Sequence, residues 1–106
     1  MRITIPGNPV TKKNSQRIIK LGNGKRIIKP SKKFEEYQEL AGDYIPEKLR
    51  MNINRSICVK CLYYMETRRR VDLVNLLEAT CDILVHYKVL TDDNSRIIKS
   101  HDGSRV

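Results

Sequence analysis

Tryptophan is absent from this 106-residue chain and phenylalanine occurs once, so the large aromatic anchors of a big core are missing. The expected core is modest, and a single domain over residues 1–106 is what this length supports. No apolar run is long enough to cross a bilayer, and Met1-Arg2-Ile3-Thr4-Ile5-Pro6 lacks the apolar block of a secretion signal. These two absences predict a chain with no membrane partner and a cytoplasmic location. Cysteine occurs three times, an odd number without a secretion signal, which argues against a disulfide framework and for reduced thiols. Internal repeats are missing too, which sets aside solenoid architectures.

The most informative absence is of acidic residues, because none precedes Glu35. Ten of the 21 Lys and Arg residues lie between Arg2 and Lys33, leaving 11 to face all 12 Asp and Glu in the remainder. The net charge of +9 is therefore concentrated in the first third, with a second basic knot at Arg68-Arg69-Arg70. Such a one-sided distribution is the footprint of a protein that meets a polyanion, nucleic acid being the commonest; a solvated lysine-rich surface is the plainer alternative. Within it, Lys12-Lys13-Asn14-Ser15-Gln16-Arg17 is the best loop for phosphate contacts after the arginine knot, because amides and hydroxyls beside cations donate to phosphate oxygens without reading sequence.

Hydrophobic periodicity then orders the chain. Arg2-Ile3-Thr4-Ile5 alternates and ends at Pro6-Gly7-Asn8-Pro9, which predicts a short strand and a turn. Apolar-basic runs at 16–19 and 26–28 around Gly22-Asn23-Gly24 predict a β-hairpin. Ser31 is a predicted N-cap, and Phe34, Tyr37, Leu40, Ala41 and Tyr44 recur at helical spacing until Pro46. Residues 55–65, rich in β-branched and aromatic side chains, predict a central strand on which Tyr63 and Tyr64 face opposite ways. Asp72 is placed to cap a second helix over 73–87, with Leu73, Leu76, Leu77, Thr80, Ile83 and Leu84 on its apolar face and Asn75, Glu78, Asp82 and His86 along a polar stripe. A last strand follows over 96–99. The expected fold is α+β, a mixed β-sheet of about four or five strands covered by two helices.

Hydrolysis of a phosphodiester calls for hard divalent cations on oxygen ligands, so carboxylates beside a basic surface are the pattern to find. Residues 68–94 hold Asp72, Glu78, Asp82, Asp92 and Asp93 next to three arginines. A solvated acidic helix face followed by an acidic turn would give the same string. Cys58-Val59-Lys60-Cys61 has zinc-ligand spacing, with Cys81 and His86 available to complete four ligands, but residues three apart on a strand face opposite sides, so apolar thiols in the core are the preferred reading. Neither His86 nor His101 is singled out as a catalyst.

Three segments carry a specific likeness. Arg69-Arg70-Val71-Asp72-Leu73-Val74-Asn75-Leu76, Asp82-Ile83-Leu84 and Leu90-Thr91-Asp92-Asp93 resemble the core of RusA-like crossover junction endodeoxyribonucleases, whose pattern is basic residues, Asp-x-Asp-Asn-Leu-x-Lys, a helix Asp and an Asp-Asp pair. The opening from Ile3 to Lys13 and the stretch from Lys29 to Tyr37 resemble the same family's start and the approach to its first helix. The resemblance implies a homodimer that resolves Holliday junctions, four-way branched DNA, in recombination and repair by nicking two strands with Mg2+. It further implies Asp72, Asp92 and Asp93 as metal ligands, Asp72 and Asp93 as catalytic carboxylates, and Asn75 and Asp82 in supporting positions. DNA contacts are expected from Lys12, Lys13, Asn14, Arg17, Arg68, Arg69 and Arg70. The family is common on mobile elements, which makes a prophage origin the corresponding expectation.

Two positions depart from the pattern. Val74 stands where the family has its second acidic ligand, and Glu78 where it has a lysine. One helical turn separates them on a shared face, so Glu78 is expected to return a carboxylate near the place Val74 vacates. The rival is a non-catalytic DNA-binding relic of the same family, and a further rival, favoured by charge alone, is a small RNA-binding protein. Soon after Asp102-Gly103-Ser104 the family continues into another strand, so either the sheet is one strand short or the chain is truncated.

Overall fold

The computed structural model describes residues 1–12, 16–68 and 70–106, apart from the side chains of Gln16, Arg17 and Pro30. Its elements in chain order are β1 (Gln16–Lys20), β2 (Arg26–Pro30), α1 (Lys32–Asp43), a 3-10 turn (Glu47–Leu49), β3 (Ile57–Cys58), α2 (Leu73–His86) and β4 (Ile98–Ser100). The architecture is α+β, two helices with strands in two small sheets. Among the described residues these are an antiparallel β1–β2 pair and a parallel β3–β4 pair, in place of the expected mixed sheet of four or five strands.

The hairpin forms where the turn residues put it. Leu21 N–H donates to Lys25 O at 2.7 Å, Gly24 N–H donates to Leu21 O at 3.0 Å, and Gly24 takes φ +83°, a left-handed conformation that costs a residue without Cβ nothing. Ile18 then faces Ile28, Ile19 faces Ile27 and Lys20 faces Arg26.

Helix α1 begins where expected, with Ser31 Oγ accepting the Phe34 N–H at 3.1 Å. Phe34 and Ala41 are fully buried, whereas Leu40 and Tyr44 of the expected stripe are exposed. At about 100° per residue, Ala41 lies roughly 20° from Phe34 around the helix and Leu40 roughly 120° away, so the core takes one edge of the stripe. Asp72 caps α2, its carboxylate accepting the Val74 N–H at 3.1 Å. Leu76, Ala79 and Ile83 are buried, and Ala79 and Ile83 join Phe34, Ala41, Ile45, Ile53, Val89, Leu90 and Ile97 in one core cluster. Leu73, Leu77, Thr80 and Leu84 are only half-buried. The core face is thus rotated toward Ala79, a residue whose small size lets neighbouring elements come close.

Two strand expectations are corrected. Residues 2–5 form no strand, although Ile3 and Ile5 do turn onto the core; alternation recorded their burial, and a ladder also needs a partner strand. The segment 55–65 pairs as a strand only at Ile57–Cys58, with a register shift between them. Beyond β3 it follows the last segment in pieces: Val59 N–H donates to Ser100 O, and Tyr63 N–H to Arg105 O, both at 3.0 Å. The turn over 101–104 interrupts the ladder, with Gly103 at φ +79° and Ser104 N–H donating to His101 O at 3.0 Å. Tyr63 is buried and Tyr64 79% exposed, the opposite facing that strand alternation predicted.

Candidate nucleic-acid interface and active site

At the N-terminal end of α2 lies an open cleft of about 570 Å³, lined among others by Asn8, Thr11, Lys33, Thr67, Arg70 and Asp72. Three separate stretches of the chain meet here. The Pro6–Pro9 turn brings in Asn8, whose Oδ1 accepts the Glu66 N–H at 2.9 Å and so ties the chain start to the segment before α2. The first turn of α1 contributes Lys33, the arginine knot Arg70, and the cap of α2 Asp72. A helix N-terminus carries a partial positive charge and free N–H groups, which with Lys33 and Arg70 suits an anion such as a phosphate.

The other acidic residues sit elsewhere. Asp92 is in the turn after α2, where one carboxylate oxygen accepts the Asp93 N–H at 2.8 Å and the other the Asn94 side-chain N–H at 2.9 Å. The backbone donation from Asp93, followed by that of Asn94, holds the Asp92 carboxyl below its ordinary range. Asp93 moves the opposite way. Partial desolvation raises it most, then its hydrogen bond with Asp92 and the negative charges of Asp92 and Asp82. The turn is therefore within electrostatic reach of the middle of α2. Asp82 itself is held by Lys12, Nζ to Oδ2 at 3.1 Å, with both side chains about a third exposed. Lys12, expected on phosphate, directs its charge to this carboxylate in the structure.

Glu78 and Val74 are both exposed on α2, Val74 at 67%, while Asn75 is half-buried. Arg68 and Arg70 are exposed and, among the described residues, in no ion pair. Lys13, Asn14, Arg69 and the side chain of Arg17 lie outside the described residues. Asp72, Asp92, Asp93 and Glu78 offer oxygen donors only, the set magnesium takes. Among the described residues, no three His, Cys, Asp or Glu side chains are drawn together in a metal-binding arrangement.

The cysteines divide by burial: Cys58 is exposed, Cys61 half-buried and Cys81 buried. Cys81 Sγ lies 4.0 Å from His101 Nε2. Burial, then the charges of Cys61, Asp93 and Asp82, push the Cys81 thiol up to about 12. Tyr63 hydrogen-bonds Thr80 Oγ1 at 2.6 Å and donates to Leu76 O at 3.1 Å, and its hydroxyl is shifted upward mainly by burial.

Lys33, Asn8 and Thr67 were not singled out from the sequence. Lys33 is one of ten cations that charge alone does not rank, and Asn8 reads as part of a turn; both lie in stretches of the family likeness, which assigns neither a site role. Comparison with protein-family models and with curated proteins found no match to this chain. The likeness to RusA-like nucleases thus stays a likeness of motifs.

Proposed function

We propose that this chain is a RusA-like, structure-selective DNA endonuclease that resolves four-way junctions by Mg2+-dependent phosphodiester hydrolysis, working as a homodimer in the cytoplasm. One observation carries the reading. The three stretches that bear the motif likeness ahead of α2, the opening turn, the approach to α1 and the arginine knot, converge with Asp72 on one cationic cleft.

In this reading Lys33, Arg68 and Arg70 hold the phosphodiester backbone, and the N-terminus of α2 orients a phosphate toward Asp72. Asp72, Asp92 and Asp93 are the residues that would hold magnesium, with Glu78 supplying the carboxylate that Val74 lacks. Magnesium held there would supply polarisation of the phosphate and an attacking water of lowered pKa. Lys12 keeps Asp82 neutralised, limiting repulsion among the carboxylates of α2 and the following turn. A twofold dimer presents two such sites, which suits a substrate cut symmetrically on two strands.

A non-catalytic DNA-binding relic is the second reading, favoured by exposed Val74 at an acidic position of the family pattern and by aspartates not drawn together as one ligand set. Labelled four-way junction incubated with the protein, with and without magnesium and beside Asp72→Asn, separates the two. Paired symmetric nicks that need both magnesium and Asp72 support the nuclease. Tight junction binding without cleavage supports the relic, and preference for RNA hairpins removes both.

A further inference from the structure

The hairpin β1–β2 lies outside the cleft and has an unusual face. Ile18 and Ile28 are direct cross-strand partners, yet they are 69% and 68% exposed. Two residues along on the same face stands the pair Lys20 and Arg26, both exposed. Lys25 in the turn and Lys29 on β2 are exposed as well, and among the described residues none of these four cations is in an ion pair. By contrast, Ile19 and Ile27 on the opposite face are half-buried. One face of the ribbon therefore shows solvent an apolar pair beside a cationic pair, and no further strand joins it among the described residues.

We infer that this face is a second DNA-binding element, a β-ribbon arm that grips the backbone of branched DNA through Lys20, Lys25 and Arg26 and lays Ile18 and Ile28 against bases at the branch. The inference rests on the reading of the chain as a DNA-binding protein and extends it to a surface outside the cleft. Charge selects the occupant. A second copy packed on this face would add more positive charge and no negative charge from this segment to offset it, whereas a polyanion is attracted by every charged group on it. The size fits as well, since a two-stranded ribbon enters a major groove about 12 Å wide. Apolar side chains wedge between bases at a cost in unstacking, and that cost is lowest where a branch already interrupts the stack.

The test uses the full chain and fluorescence anisotropy with a labelled four-way junction and a linear duplex of equal length over a series of salt concentrations. For Lys20→Ala/Arg26→Ala the slope of log affinity against log salt is expected to fall by about 1.8, two phosphate contacts at about 0.9 each. For Ile18→Ser/Ile28→Ser the junction affinity is expected to drop roughly tenfold with the slope unchanged, the effect of two partly reburied isoleucines. Both pairs are exposed, so each double variant keeps the wild-type melting temperature. If wild type binds the junction and both variants bind equally well, the arm is refuted while the DNA-binding reading stands. If wild type binds no DNA, both fall. If Ile18→Ser/Ile28→Ser instead changes the sedimentation of the protein and leaves junction affinity intact, the face belongs to a second copy and the arm is refuted.

Discussion

Asp72 caps α2 and, in the proposed reading, holds magnesium, and two substitutions take these roles apart. Its carboxylate caps α2 through the Val74 N–H at 3.1 Å, and among the described residues it is the one carboxylate lining the cationic cleft. Asparagine caps a helix about as well as aspartate, so Asp72→Asn loses only the attraction of a negative charge for the helix dipole, about 0.3–0.5 kcal/mol. Alanine loses the cap as well, about 1 kcal/mol more. In a domain of this size 1 kcal/mol moves the melting temperature by about 4–8 °C, so Asp72→Ala is expected to melt that much below Asp72→Asn. Cleavage should not follow stability. If Asp72 holds magnesium as proposed, both variants lose a ligand worth several kcal/mol, so both are expected to nick a labelled four-way junction at least about a hundredfold more slowly. Thermal melts and single-turnover cleavage on the same preparations make the comparison. An Asp72→Asn protein that cleaves at more than about a tenth of the wild-type rate refutes Asp72 as a ligand, and equal melting of the two variants refutes the cap.

The other expected outcomes test the remaining readings. Calorimetric titration with magnesium should show weaker binding for Glu78→Ala and unchanged binding for Val74→Ala; equal affinities would remove Glu78 from the site. Gly42→Ala should destabilise by about 1–3 kcal/mol despite the better helix propensity of alanine. Its Cβ would fall 2.6 Å from the Tyr87 ring, which is pinned by Tyr87 O–H donating to Gln38 O at 2.6 Å and by the Arg50 guanidinium 5.0 Å from the ring centroid. An unchanged melting temperature would mean that the ring moves freely. Iodoacetamide at mildly alkaline pH should label Cys58 first and Cys81 last, read by mass spectrometry of peptides. The Cys81 thiol is raised from 9.0 to about 12, so the folded chain keeps it neutral while the unfolded chain ionises. That contribution to stability is whole below about 9 and is lost as pH climbs toward 12. Early labelling of Cys81 in the folded protein would contradict its burial.

What the residues decide locally, they announced. Ser31 and Asp72 cap the two helices because a short oxygen at that position meets a free N–H wherever the chain goes next. Gly22-Asn23-Gly24 turns the hairpin because its backbone needs a left-handed residue, and Gly24 supplies it. The concentration of positive charge before Glu35 is likewise a property of the string itself.

Tertiary structure decided the rest. Which edge of each apolar stripe is buried depended on the neighbours, so Ala79 lies in the core while Leu40 and Tyr44 face water. The segment 55–65 looked like a strand, but its ladder depends on the path of 97–105, and the turn at Gly103 breaks it. Charge pairing was equally invisible: Lys12 and Asp82, 70 residues apart, meet only because the chain start packs beside α2. The cleft has the same origin. Sequence ranks cations by density, whereas a site ranks them by convergence, and only the packing of the opening turn and α1 against the cap of α2 brings Asn8, Lys33, Arg70 and Asp72 to one place.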